Sequence, residues 1–132
     1  MPGQHTEVLK AVYERWAQGD FRAGGDLWDP VAVFVQRPEF PEAGTYLGPE
    51  GVQRYMREFL ESWTKITIVA EELIEAGDSV VVAVTQRGIG TGSGAVTELR
   101  YFHVWTFRGA RVIRWEGFRE RAEALAAVGL SA

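Results

Sequence analysis

The chain has 132 residues, 46% of them hydrophobic, no cysteine, and a formal net charge of −4. That length supports one core of ordinary size, so residues 1–132 are read as a single domain. Disulfides and thiolate sites are excluded, no apolar run is long enough to span a membrane, and the acidic balance argues against a nucleic-acid surface. Arg108, Arg111, Arg114, Arg119 and Arg121 are accordingly read as a solvated face. The amino terminus, Met1-Pro2-Gly3-Gln4-His5, lacks the basic and apolar regions of a signal peptide, and a cytoplasmic protein is expected.

In chain order, Glu7 to Gln18 carries Val8, Val12 and Trp16 at i, i+4 and i+8, with Leu9 and Tyr13 beside them. Gly19 stands where a left-handed helix end belongs, and this predicts an amphipathic first helix. Asp20 to Trp28 reads as a shorter helix weakened by Gly24 and Gly25 and ended by Asp29-Pro30. Val31 to Gln36 is β-branched and aromatic, hence a strand, and Arg37 to Gly48 reads as a loop at a pocket rim. Pro49 and Glu50 then open a helix in which Val52, Tyr55, Met56, Phe59, Leu60 and Trp63 follow helical spacing. Its apolar face should meet a sheet, leaving Arg57, Glu58 and Glu61 in water.

Strand-like runs follow at Ile66 to Ile74, Val80 to Ile89, Ala95 to Phe107 and Arg111 to Phe118, joined by short turns that make consecutive strands antiparallel. Glu120 to Val128 fits either a terminal helix or an irregular tail. Together these predict an α+β domain, a curved and mostly antiparallel sheet with the N-terminal helices on its concave face. Gly88 to Gly94 joins two strands and lacks dinucleotide spacing, so no phosphate site is expected. His5 lies far in sequence from His103, and neither a metal nor a cofactor is expected.

The chemistry concentrates between Leu99 and Phe118. Alternation puts Leu99, Tyr101, His103, Trp105 and Phe107 on one face of a strand and Phe102, Val104 and Thr106 on the other. An imidazole set in an aromatic wall resembles the lining of a small-molecule pocket. With an ordinary pKa of about 6.5, His103 is the candidate catalytic group, able to exchange a proton at neutral pH. Its structural alternative is a half-buried ring bonded to tyrosine or backbone. The candidate binding residues are Trp16, Trp28, Tyr55, Phe59, Trp63, Arg87, Tyr101, Trp105 and Trp115. On the outer face Phe102, Val104 and Phe118 would form an exposed apolar patch, which predicts a homodimer.

Beyond these elements, Gly19-Asp20, Leu27-Trp28-Asp29-Pro30, Tyr46-Leu47-Gly48-Pro49-Glu50, His103-Val104-Trp105 and Phe118-Arg119-Glu120-Arg121-Ala122-Glu123-Ala124-Leu125 occur in a telling order. In that order the chain resembles, over nearly its whole length, the SnoaL-like branch of the nuclear transport factor 2-like superfamily. The resemblance implies a cone-shaped α+β fold with a deep cavity, assembled as a homodimer through the outer sheet face. It does not imply one function, because this fold hosts isomerases, cyclases, epoxide hydrolases and non-catalytic binders.

The ketosteroid isomerase positions fall by resemblance on Val12, His103 and Val35, which leaves no base at Val35. Tyr13 adjoins Val12 but is turned by about 100° around the helix, so it is not expected to substitute. Of the epoxide hydrolase set, Arg87 could supply the cation, with no inward carboxylates to match. The polyketide cyclases resemble this chain more closely and use a carboxylate on the last strand. Here pairing with an inward His103 turns Trp115 and Gly117 inward and Glu116 outward, unless a bulge at Gly117 brings Glu116 or Arg119 to the cavity. The expected function is binding of an apolar or aromatic small molecule, as a metal-free isomerase, cyclase or lyase using His103 with Tyr101, Tyr55 or Arg87. The alternative is a non-catalytic binding or dimeric interaction module.

Overall fold

In the computed structural model, which describes residues 3–40 and 42–131, one six-stranded sheet organises the chain. Met1 and Pro2, part of the leader reading, lie outside the described residues. Helix α1 (Gln4–Trp16) precedes strands β1 (Trp28–Gln36) and β2 (Gly44–Leu47), helix α2 (Gly48–Glu61), and strands β3 (Trp63–Ala76), β4 (Ser79–Gly90), β5 (Val96–Arg108) and β6 (Arg111–Phe118). Helix α3 (Arg121–Ala127) follows. The strand order is β2-β1-β6-β5-β4-β3, antiparallel throughout except for the parallel pair β1 and β6. This is the α+β class expected, with a sheet that curves without closing. None of the helices among the described residues is long and apolar enough to cross a membrane.

Curvature is built into the long strands. The β3–β4 register shifts between Trp63 and Lys65 and again between Ala70 and Glu72. Such bulges bend a strand and increase its twist. The second shift keeps Ala70 and then Leu73 packed against the core beneath α1. On β4 the even-numbered Val80, Val82 and Val84 face the helices, opposite Trp105, His103 and Tyr101. Helix α2 buries Val52, Tyr55 and Phe59 and leaves Arg57, Glu58 and Glu61 exposed. It begins at Gly48, whose φ of +67° and 3.0 Å clearance to the Pro30 carbonyl leave no room for a side chain.

The local readings are corrected in three places. Asp20 to Trp28 forms turns and one 3-10 turn (Gly25–Leu27) instead of a helix, since Gly24 adopts a φ of +86° and Trp28 is drawn into β1 opposite Val112. The 37–48 stretch contains β2, paired to β1. Trp63 opens β3 instead of closing α2, because Ser62 ends the helix.

The outer face is also not the open patch expected. Val81, Val104 and Phe118 form a second apolar cluster with Ala124 and Leu125 of α3, which leaves Val104 6% and Phe118 3% exposed. Arg37 lies 4.9 Å from the centre of the Phe118 ring and reaches Glu123 at 3.2 Å, while Arg121 reaches Glu72 at 2.8 Å. Exposed pairs of this kind contribute little, about 0–1 kcal/mol, so apolar contact holds α3 in place. Leu125→Ala is therefore expected to cost about 2–5 kcal/mol in urea denaturation. A loss below about 1 kcal/mol would mean that α3 does not cover this face in solution.

Candidate functional site

Between α1, α2 and the concave sheet face lies a cavity of about 940 Å³. Its mouth carries the exposed Gln18, Arg22, Gln53, Thr64 and Lys65, and its interior is walled by Trp16, Trp28, Phe34, Tyr55, Phe59, Tyr101, His103 and Trp115. Trp63 completes the wall by lying over Gly88, where a Cβ would come within 2.6 Å of the indole. The interior rings touch in series: Phe34 stacks on Trp115 at 4.0 Å between centroids, while Phe34 and Tyr55 at 4.4 Å and Trp115 and His103 at 4.7 Å meet tilted.

His103 sits mid-strand on β5 opposite Gly117, and there the absence of a side chain is a requirement. A Cβ at Gly117 would lie 2.4 Å from Gln36 Oε1 and 3.3 Å from the Trp115 ring. The imidazole is 3% exposed, enclosed by Trp16, Tyr101 and Trp115, and its Nδ1 is 2.6 Å from the Tyr13 hydroxyl. Trp105 Nε1 donates to that same hydroxyl at 2.8 Å. The hydroxyls of the two tyrosines in the cavity wall are also engaged. Tyr101 donates to Gln86 Oε1 at 2.5 Å, and Tyr55 accepts from Gln36 Nε2 at 2.8 Å. Gln36 Oε1, Trp63 Nε1 and Trp115 Nε1 are sealed from water with no partner among the described residues.

Burial controls the electrostatics. Removal from water disfavours the charged form of every group here. It pushes the Tyr13, Tyr55 and Tyr101 hydroxyls up, Tyr13 and Tyr55 well above the tyrosine range, and takes His103 down to about 3. Among the described residues lining the cavity, Asp20 is the one carboxylate, and it sits at the mouth against Arg15 and Arg22. The interior is therefore neutral at pH 7. His103 can offer or accept a hydrogen bond there, and with no counter-charge beside it desolvation moves its proton uptake below the neutral range expected of it.

Of the candidate binding residues, Trp16, Trp28, Tyr55, Phe59, Trp63, Tyr101 and Trp115 border the cavity. Two do not. Arg87 falls on the outer face of β4, exposed, with its Nε donating to Glu98 Oε2 at 2.8 Å. Trp105, 1% exposed, lies behind the cavity wall against Tyr13, Trp16 and Trp28. Glu116 points outward to Arg37 and Arg114, and the β5–β6 register shift falls at Thr106, so no bulge at Gly117 brings a carboxylate in.

Tyr13 is the residue that sequence reasoning missed. The buried stripe of α1 is Leu9, Val12, Tyr13 and Trp16, with Val8 39% exposed, so the helix is rotated from a stripe centred on Val8, Val12 and Trp16. The i, i+4 pairing of Leu9 with Tyr13 was the available signal.

The model of the SnoaL-like domain family matches residues 9–115. No curated protein matches the chain. An NTF2-like protein from Burkholderia thailandensis is 25% identical, with a TM-score of 0.77 over 89% of this chain and 94% of that one. TerC, co-crystallised with polyporic acid, is 23% identical, with a TM-score of 0.74 over 93% of this chain and 95% of that one. A protein from Jannaschia described as a SnoaL-like polyketide cyclase is 18% identical, with a TM-score of 0.77 over 100% of this chain and 97% of that one. The curved sheet and its helices thus fit the cone-shaped NTF2-like fold.

The depressed His103 pKa has a consequence for stability. The unfolded chain takes up this proton near pH 6.5 and the folded chain only near 3, so stability is fully present above 6.5 and falls as the pH drops between these values. The slope approaches about 1.4 kcal/mol per pH unit for one proton. His103→Gln is expected to flatten the pH dependence by that amount in urea denaturation between pH 6.5 and 4. An NMR titration in which the wild-type His103 ring moves with a midpoint near 6.5 would refute the assignment.

Proposed function

We infer that this chain, which belongs to the SnoaL-like family of the NTF2-like superfamily, binds a flat apolar or aromatic small molecule in the cavity between its helices and sheet. The observation that carries this reading is the unfilled volume of about 940 Å³ walled by aromatic rings, with the His103 imidazole among them. The size lies within the range of about 300–1,000 Å³ of ligand sites, and such sites combine apolar walls with a few orienting polar groups. A module with a filled cavity fits this volume poorly. Co-crystallisation of TerC with polyporic acid supports a small organic molecule as occupant of the shared fold.

Acid–base isomerase, cyclase or lyase chemistry is supported less well. It needs a group that exchanges protons near neutral pH. Burial holds His103 neutral, and no carboxylate lines the interior among the described residues. What the site offers a ligand is a hydrogen bond and a dry aromatic surface. The homodimer expected from the sequence loses its patch of Val104 and Phe118 to α3 and now rests on the half-buried Phe102 and Ile74 beside that helix. Light scattering giving twice the 14.7 kDa chain mass would support it, and a single chain mass would end it.

Met56 is half-buried on α2 and lines the cavity. Met56→Trp is expected to fill the space and weaken binding of flat aromatic molecules by about tenfold or more, each methylene-sized group of overlap being costly in a packed site. Saturable quenching of tryptophan fluorescence in the wild type, lost in the variant, is the measurement. Equal binding by both proteins would place the ligand elsewhere.

A further inference from the structure

Resting on that reading, we propose that the cavity's ligand presents a hydrogen-bond acceptor to His103 Nε2. It would be an uncharged oxygen, such as a carbonyl, on a flat aromatic frame, and Tyr13 and Trp105 are the positioning residues that hold the proton on that nitrogen.

The polarity follows from the donor inventory along three buried groups. An indole Nε1 can only donate, so at 2.8 Å the Tyr13 oxygen accepts from Trp105. The hydroxyl's own proton has one acceptor within reach among the described residues, His103 Nδ1 at 2.6 Å. Reversing that bond would give the Tyr13 oxygen two incoming donors and strand its own proton in a dry core. An unmade buried hydrogen bond of that kind disfavours the reversed arrangement on the order of ten- to a hundredfold. Nδ1 therefore carries the lone pair. A neutral imidazole has a single N–H, which then sits on Nε2.

Nε2 has no protein partner among the described residues, and unlike the Trp63 and Trp115 nitrogens it is not sealed by its surroundings, while its ring lines the cavity. The site thus aims one fixed donor at its ligand. A ligand acceptor satisfies it, and a ligand N–H or ammonium at that point would meet donor with donor. The surrounding rings of Trp16, Tyr101 and Trp115 favour a flat frame around the acceptor.

Two measurements test this. Nitrogen NMR of the histidine ring in the ligand-free protein at pH 7 is expected to show His103 protonated on Nε2 and bare on Nδ1. In Tyr13→Phe, and separately in Trp105→Phe, the Nδ1-protonated form should grow in. A wild-type ring protonated on Nδ1 overturns the proposal without reference to any ligand. Binding is then compared for three probes of nearly one shape, 9-fluorenone, fluorene and carbazole, which present an acceptor, neither group, and a donor. Fluorenone is expected to bind about tenfold tighter than fluorene, with carbazole weaker than both. Tyr13→Phe should shrink the preference for fluorenone over fluorene to below about threefold. Equal affinity for fluorenone and carbazole overturns this proposal alone, whereas failure of all three to bind overturns the cavity reading and this proposal together.

Discussion

A helix and a strand separated by 90 positions in the chain meet at the hydrogen bond between Tyr13 and His103, and the interior is arranged around it. Both groups are polar and both are withdrawn from water. Either one left alone in an aromatic core would cost on the order of a few kcal/mol. Joined to each other and to Trp105, they satisfy the tyrosine hydroxyl, Nδ1 of the imidazole and the indole N–H within one line of contacts. The line also fixes the rotation of α1 about its axis, since only a helix that turns Leu9, Val12, Tyr13 and Trp16 inward can deliver that hydroxyl. What remains open between α1, α2 and the sheet is the cavity.

Its walls depend on where side chains are missing. Gly117 lets Gln36 and Trp115 come down onto the sheet beside His103, and Gly88 lets Trp63 lie flat across β4. In each case one strand gives up a side chain so that a neighbour's larger group can lie on its backbone. On the opposite face the same sheet is shielded by α3, and the apolar residues that alternation sends outward are largely buried within the chain. One sheet thus serves two cores of different character, an open one lined with rings and a closed one under a short helix.

The interior of this cavity departs from the residue sets of the enzymes that the chain resembles. An isomerase needs a base, an epoxide hydrolase needs paired carboxylates, and a cyclase of the resembling type needs a carboxylate on the last strand. Here Val35 carries no carboxylate, Arg87 points to solvent paired with Glu98, and Glu116 is held outside by Arg37 and Arg114. Fold membership and activity part company at the level of single side chains, as expected when sites are built on a shared scaffold.

Much of the architecture was legible in the sequence because it is set by local periodicity. The order of elements, the inward set of His103 with Trp115 and Gly117, and the outward turn of Glu116 all follow from two-residue alternation and hairpin pairing, which neighbours along the chain decide. The inward face of β4 was not legible, because Val80, Val81, Val82 and Val84 are apolar on both sides and α3 gives the outer ones a partner of their own. Nor was the phase of α1, where adjacent apolar residues allow two stripes and only packing on the sheet selects the one containing Tyr13. The side of the wall on which Trp105 lies, and the proton affinity of His103, depend on what covers them. That cover comes from residues about 90 positions away, so burial and desolvation are properties of the assembled fold and have no local sequence signal.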